Sequence, residues 1–340
     1  MIPKKVILDC DPGSDDAIAM MLAMKSDAID LIGVTTVNGN RIVPKTTENA
    51  LRVVQFMKAS VPVYRGCEEP IICNEIPGRK PGLPRVTLND CHGDFLPLPE
   101  AEIRTEKEHA VFYLVKTLME SEGDIYVAAV GPLTNLAMAL RIEPKIAGKI
   151  KQLVIMGGGH CGANASPAAE FNFYADPEAA KIVMDSAIPK VILPLDATWR
   201  ACLSEEKCKE LAQLGTPEAK VAAALVQKRI DNLKVNDVSE HNYVLRHQAG
   251  TVAGAMLYRY DNHMAPIHDA LAIAYLINEN VVTELADANV DIDIAGGLCD
   301  GRMVADFHNT KKCKAPVTAK VALNSDAGLF TDMLFAALGK

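Results

Sequence analysis

Short apolar runs alternate with helical patterns along most of this chain, and that alternation leaves few folds open. "KKVILDCD" is followed by "DDAIAMMLAMKS", "DLIGVTTVNGN" by "TTENALRVVQFMKA", and "VPVYRG" by a long interruption. The pattern resumes with "HAVFYLVKTLME", "DIYVAAVG", "LTNLAMALRI", "IKQLVIMGGG", "DPEAAKIVMDS" and "KVILPLDA". The strand-like runs are nearly continuous in Val, Ile and Leu, as expected when helices cover both faces of a sheet. Repeated βα units predict an α/β fold, with a mostly parallel, open, Rossmann-like central sheet flanked by helices. Residues 201–265 read as helices of mixed polarity near the site, and "NVDIDIAGGLCDGRMVADF" as a late strand pair around a Gly-rich turn. No repeat, low-complexity tract or linker interrupts residues 1–340, so one domain is expected. Segment 77–100 is rich in Pro and Gly and too long for an ordinary connection; such segments are usually lids, binding loops or disordered.

Charge narrows the partners. A formal net charge of -8, with 23% charged residues in 340, argues against a general nucleic-acid binder and against anionic membranes. A small neutral or cationic ligand fits better. "MIPKKVILDCD" lacks the apolar core of a signal peptide, and no run approaches the roughly 18 apolar residues of a membrane span. The expectation is a soluble cytoplasmic protein. Nine cysteines, odd in number, scattered and without a CxxC pair, are expected to be reduced thiols rather than zinc ligands.

The stretch "DCDPGSDDA", residues 9–17, concentrates four aspartates at the end of the first strand-like run. In an extended strand Asp9 and Asp11 share a face, Pro12 and Gly13 turn the chain, and Asp15 and Asp16 fall in the first turn of a helix. The turn lets all four converge. Carboxylates so placed repel one another unless a cation sits among them, and hard oxygen ligands suit calcium or magnesium. The spacing is not an EF-hand: counted from Asp9, Gly13 falls at position five rather than six, and Met20 stands where the loop needs Glu.

Three later stretches follow strand-like runs and carry polar groups that a sheet does not need: "VNGN" at 37–40, "GGGHCGANASPAAEFN" at 157–172 and "APIHDALAIAYLI" at 265–277. Asp176 and Pro177 read as the cap and first residue of a helix, which leaves Asn164, Glu170 and Asn172 on the preceding loop, where amides and a carboxylate bind hydroxyls. Pro266 reads as the opening of another helix, with His268 and Asp269 in its first turn.

"DCDPGSDDA", "TTVNGN", "GPLTNLA", "MGGG" followed by "NASPAAEFN", and "IHDA" occur in the order and spacing of the inosine-uridine preferring nucleoside hydrolases, which the chain resembles from about residue 3 to 330. The resemblance implies hydrolysis of the N-glycosidic bond of ribonucleosides, giving free base and ribose, on a fold carrying one calcium ion. Carried onto this chain, it implies calcium ligation by Asp11, Asp16, Asp269 and the main-chain carbonyl of Val130, where Thr is often found. Asp11 beside the ion would serve as general base for the attacking water. The ribose would gain oxocarbenium character as the bond breaks. Asp15, Asn40, Asn164, Glu170, Asn172 and Asp269 would bind its hydroxyls, favouring ribose over 2'-deoxyribose. His268 matches the histidine that protonates the leaving base, and His92 in "CHGDF" matches a second histidine near the nucleobase. Homodimers or homotetramers are implied as well.

Other residues carry less. Trp199 does not match the tryptophans that stack the base in the purine-specific branch and reads as packing. Tyr258 and Tyr260 could face the base, but their spacing departs from that of the better-known members. Cys10 should point into the core, and His160, His241, His247 and His263 have no motif support. "VILDCD" also resembles the first motif of haloacid-dehalogenase-type phosphatases, but Gly13 stands where that motif carries Thr or Val, and "EFN" and "IHDA" would then have no role. A nucleoside-binding protein without turnover is the other alternative. Retention of both Asp11 and His268 counts against it.

Overall fold

The computed structural model describes residues 2–72, 75–76, 92–235, 263–307 and 316–340, apart from the side chains of 233–235. The first part of the chain runs β1 (Lys4–Cys10), α1 (Ser14–Lys25), β2 (Ile29–Thr36), α2 (Val43–Phe56) and β3 (Val63–Arg65). It continues with α3 (Ala110–Glu120), β4 (Ile125–Ala129), α4 (Thr134–Ile142), β5 (Ile150–Met156), α5 (Phe171–Ala175), α6 (Pro177–Met184) and β6 (Lys190–Leu193). Then come α7 (Leu195–Thr198), β7 (Cys202–Ser204), α8 (Glu205–Gln213), α9 (Pro217–Val235), β8 (Met264–Pro266) and α10 (His268–Ile277). The last elements are β9 (Val282–Ile292), β10 (Met303–Asp306), β11 (Ala319–Ser325) and α11 (Ala327–Leu338).

Among the described residues the main sheet has nine strands in the order β10-β9-β11-β6-β5-β4-β1-β2-β3. From β11 to β3 every pairing is parallel, while β9 runs antiparallel to both β11 and β10. The mostly parallel α/β sheet expected from the βα alternation is therefore present, with a two-stranded antiparallel extension at one edge. Strand order reverses direction at β1: the chain builds outward through β2 and β3 on one side, then returns to place β4, β5 and β6 on the other. The gap beyond the carboxyl ends of β1 and β4 is a topological switch point, where open α/β sheets bind ligands.

Period-2 alternation within the strands divides the core between the two faces. On β1, Val6, Leu8 and Cys10 join one buried cluster, together with Val154, Val191 and the apolar residues of α1 and α10. Ile7 joins the other, with Val127, Leu153, Ile155 and Ile192 under α3, α4 and α6. Helix α1 is buried from Ser14 to Ala23, so its acidic first turn lies inside the molecule rather than on a solvated face.

Local boundaries differ from the sequence expectations in three places. "KVILPLDA" is strand only to Leu193, because Pro194 ends it and α7 begins at once. Pro266 closes β8 rather than opening a helix, and α10 starts two residues later at His268. The 201–265 segment is not wholly helical: β7 and β8 pair antiparallel, Cys202 opposite Pro266 and Ser204 opposite Met264. Residues 236–262, with Tyr258, Tyr260, His241 and His247, and residues 77–91 of the long segment lie outside the described residues.

Candidate active site

Helix α1 begins with a tight acidic turn whose backbone is held by one of its own carboxylates. Asp16, at the third helical position, accepts the Gly13 N–H through Oδ2 at 2.8 Å and the Asp11 N–H through Oδ1 at 3.2 Å. These bonds satisfy donors that a helix start leaves open. Asn40, in the loop after β2, closes the turn from the other side. Its backbone N–H donates to Asp11 Oδ2 at 2.5 Å, and its side-chain amide donates to the Asp11 carbonyl at 3.1 Å and to Asp16 Oδ2 at 3.2 Å. Gly39 and Gly131 leave room for Asp11: a Cβ on Gly39 would collide with its carboxylate, and one on Gly131 would lie 2.6 Å from Oδ1.

Asp269, in the first turn of α10, reaches the same place. One carboxylate oxygen each from Asp15, Asp16 and Asp269 lie within 4.8 Å of one another, and all three residues are buried. Burial, and then the charges of neighbouring aspartates, push Asp11 and Asp269 well above the usual carboxylate range, and raise Asp16 to about 6. Asp15 goes the other way. Burial raises it, but Arg229, His92 and His268 together outweigh burial and hold it well below its ordinary value. Buried hard-oxygen donors that are costly to ionise together fit a divalent cation.

His268 precedes Asp269 and is buried, with Nδ1 2.8 Å from the Thr198 hydroxyl at the end of α7. His92 lies against the first turn of α1. Its Nδ1 accepts the Ser14 N–H at 3.1 Å, is 3.2 Å from Ser14 Oγ, and is 3.8 Å from Asp15 Oδ1. The stretch that carries it is fastened to α2: Asn49 donates to the Pro12 carbonyl at 2.9 Å and accepts the Leu96 N–H at 2.9 Å, while Asp94 pairs with Arg41 and Lys45.

The loop after β5 is ordered by its own polar residues. Glu170 caps α5 and accepts N–H groups from Gly158, Asn172 and Phe173, and burial raises it to about 7 against those bonds. Asn172 therefore sits inside a short helix rather than on a loop. Its amide nitrogen donates to the carbonyls of Val130 at 2.9 Å and Met156 at 3.0 Å, which ties it to the ends of β4 and β5. Asn164 lies farther out and accepts the Phe171 N–H at 2.8 Å. Trp199 is buried under this loop, where a Cβ on Gly162 would lie 2.5 Å from its Cζ3.

The structure thus groups Asp11, Asp15, Asp16, Asn40, His92, His268 and Asp269, with Val130, Glu170 and Asn172 beside the neighbouring strand ends. Asp9 does not join them, contrary to the expected convergence of four aspartates. Its Oδ1 accepts from Thr35 at 2.6 Å and from Asn135 at 2.7 Å, which makes it a link between β1, β2 and α4. Sequence reasoning missed Thr198 and Arg229. Arg229 arrives from the polar-looking helix α9, and nothing in its local pattern distinguishes it from a solvated arginine.

Comparison with known proteins accounts for this grouping. The sequence matches the family described as inosine-uridine preferring nucleoside hydrolase over residues 6–332. It is 36% identical over 337 residues to the pyrimidine-specific ribonucleoside hydrolase RihB of Escherichia coli O157:H7, covering 97% of this chain and 95% of the relative. Two solved structures align over nearly their whole length. A plant nucleoside hydrolase, the PpNRh1 enzyme, shares 26% identity at a TM-score of 0.79, covering 99% of each chain. A purine-preferring ribonucleoside hydrolase from Gardnerella vaginalis shares 25% at 0.82, covering 99% of this chain and 98% of the other. With motifs, fold and acidic switch point in agreement, the phosphatase and non-catalytic alternatives fall away, and the chain belongs to the inosine-uridine preferring nucleoside hydrolase family as a ribonucleoside-hydrolysing enzyme.

Proposed function

We propose that the enzyme hydrolyses pyrimidine ribonucleosides in preference to purine ones, with Asp11 as general base and His268 as general acid. The observation that carries the residue roles is the convergence of Asp11, Asp15, Asp16 and Asp269 with His268 at the β1/β4 switch point. Pyrimidine preference is supported by the relatives that are 36% identical and named pyrimidine-specific. The burial of the single tryptophan, Trp199, beneath a loop also leaves it poorly placed to stack a purine.

Asp11, Asp16 and Asp269 would hold a calcium ion, with the Val130 carbonyl beside them. That carbonyl already accepts from Asn172, but a second lone pair is left for a cation. Bound there, calcium supplies the positive charge that acidifies and orients the attacking water. Asp11 would take one proton from the attacking water as the water oxygen bonds to the anomeric carbon. The bond to the base breaks, the base leaves with the electron pair, and His268 gives it a proton. If the Thr198 hydroxyl donates to Nδ1, the transferable proton of His268 sits on Nε2.

Asp15, Asn40, Asn164, Glu170, Asn172 and Asp269 are proposed to hold the ribose, and His92 to flank the base. Because the nitrogen of the Asn172 amide is committed to two carbonyls, its Oδ1 would accept a sugar hydroxyl. A single domain over 1–340, a cytoplasmic location and a homodimer or homotetramer are proposed as well; one nine-stranded sheet drawing its strands from Lys4 to Ser325 supports the first, and the family likeness supports the last. No helix among the described residues is long and apolar enough to cross a membrane.

Steady-state kinetics on uridine, cytidine, inosine, adenosine and guanosine test the base preference. Higher kcat/KM for uridine and cytidine is expected, and faster cleavage of inosine or guanosine would contradict it.

A further inference from the structure

Four buried carboxylates crowd one end of the sheet, yet they have two jobs to divide: holding a cation and holding a sugar. Asp15, Asp16 and Asp269 are close enough to share an ion, so proximity alone does not say which aspartate is left for the substrate. A residue from a distant part of the chain breaks the tie. Arg229 of α9 places Nη1 2.8 Å from Asp15 Oδ1, with side-chain exposures of 11% and 7%. The same nitrogen is 3.5 Å from Ser14 Oγ, and His92 approaches Asp15 Oδ1 to 3.8 Å. Asp15 Oδ1 thus has cationic or hydrogen-bonding groups beside it, Arg229 nearest.

We propose that Arg229 is a positioning residue that commits Asp15 to the ribose rather than to the cation. A guanidinium at ion-pair distance repels a dication from the same oxygen and fixes the carboxylate in one orientation, ionised and ready to accept a sugar hydroxyl. Asp11, Asp16 and Asp269 are then the carboxylates left to the metal. This proposal rests on the assignment of Asp15 to the ribose.

Two readouts separate it from a merely structural role. Calcium affinity of the purified protein, measured by isothermal titration, should tighten several-fold in Arg229→Met, because a competing positive charge is gone. A merely structural role for Arg229 would leave it unchanged or weaken it. The ratio of kcat/KM for uridine over 2'-deoxyuridine should fall at least tenfold in Arg229→Met, chiefly through KM on uridine, and recover in large part in Arg229→Lys. In an Asp15→Ala background, Arg229→Met should change the ratio no further. Weaker or unchanged calcium binding in Arg229→Met, or an unchanged ratio, would overturn the proposal. If Asp15→Ala itself keeps the wild-type ratio, the ribose assignment of Asp15 fails, and the positioning role fails with it.

Discussion

The Thr198 hydroxyl and His268 Nδ1 lie 2.8 Å apart in a buried pocket at the meeting of α7 and α10. A buried hydroxyl so close restrains the ring plane, and where it donates to Nδ1 it leaves the proton on Nε2; those two properties decide whether a histidine can act as a directed acid. His268→Ala should lower kcat on uridine by about 10²- to 10⁴-fold, the usual contribution of general acid catalysis. The loss should be much smaller on p-nitrophenyl riboside, whose leaving group needs no proton. Thr198→Val should fall between, at roughly tenfold on uridine. Equal losses on both substrates would remove the acid role.

Asp11 is surrounded by other carboxylates and anchored by the Asn40 N–H. Its ionised form is costly in the folded chain, so its presence serves chemistry more than stability. Asp11→Ala should reduce turnover by at least 10³-fold, while the melting temperature measured in chelator falls little or rises. A fully active Asp11→Ala enzyme would rule out the general-base role.

If Asp11, Asp16 and Asp269 hold a cation, they should also couple it to folding. Calcium at a hundredfold excess over its Kd adds about 2.7 kcal/mol to the folded state, which raises the melting temperature by a few degrees. Differential scanning calorimetry with and without a chelator should show that shift in the wild type and lose it in Asp269→Asn. A shift preserved in Asp269→Asn would place the cation elsewhere.

Glu170 carries a pH signature. Burial raises it from 4.5 to about 7 even though three backbone N–H groups point at it. The folded chain therefore keeps this proton over a range where the unfolded chain has lost it. Its contribution to stability is full below about pH 4.5 and is lost as pH rises through about 7. The urea midpoint of the wild type should fall more steeply between pH 5 and 7.5 than that of Glu170→Gln. Parallel slopes would show that Glu170 does not titrate in this window.

The βα alternation carried the sheet, because short Val-, Ile- and Leu-rich runs set between longer helical patterns suit strands covered on both faces. The strand order depended on contacts between distant segments, which a local pattern does not encode. The same distinction runs through the site. Asp11, Asp16, Asn40, His268 and Asp269 stand in short motifs at strand ends and were legible there. Asp9 looked like a member of the cluster by alternation, but the pairing of β1 with β2 aims it at Thr35 and Asn135. Thr198 and Arg229 were invisible because each acts through a partner 70 or 214 residues away in the chain. Asn172 was placed on a loop because a helix of five residues has too little periodicity to announce itself, whereas Glu170 does precede that helix, as its cap.

The most direct test of the whole account is free ribose released from uridine by the purified enzyme, assayed with calcium and after chelation. Stoichiometric uracil and ribose are expected with calcium, near-complete loss on chelation, and restoration when calcium is returned. Undiminished ribose release from a verified metal-free enzyme would contradict it.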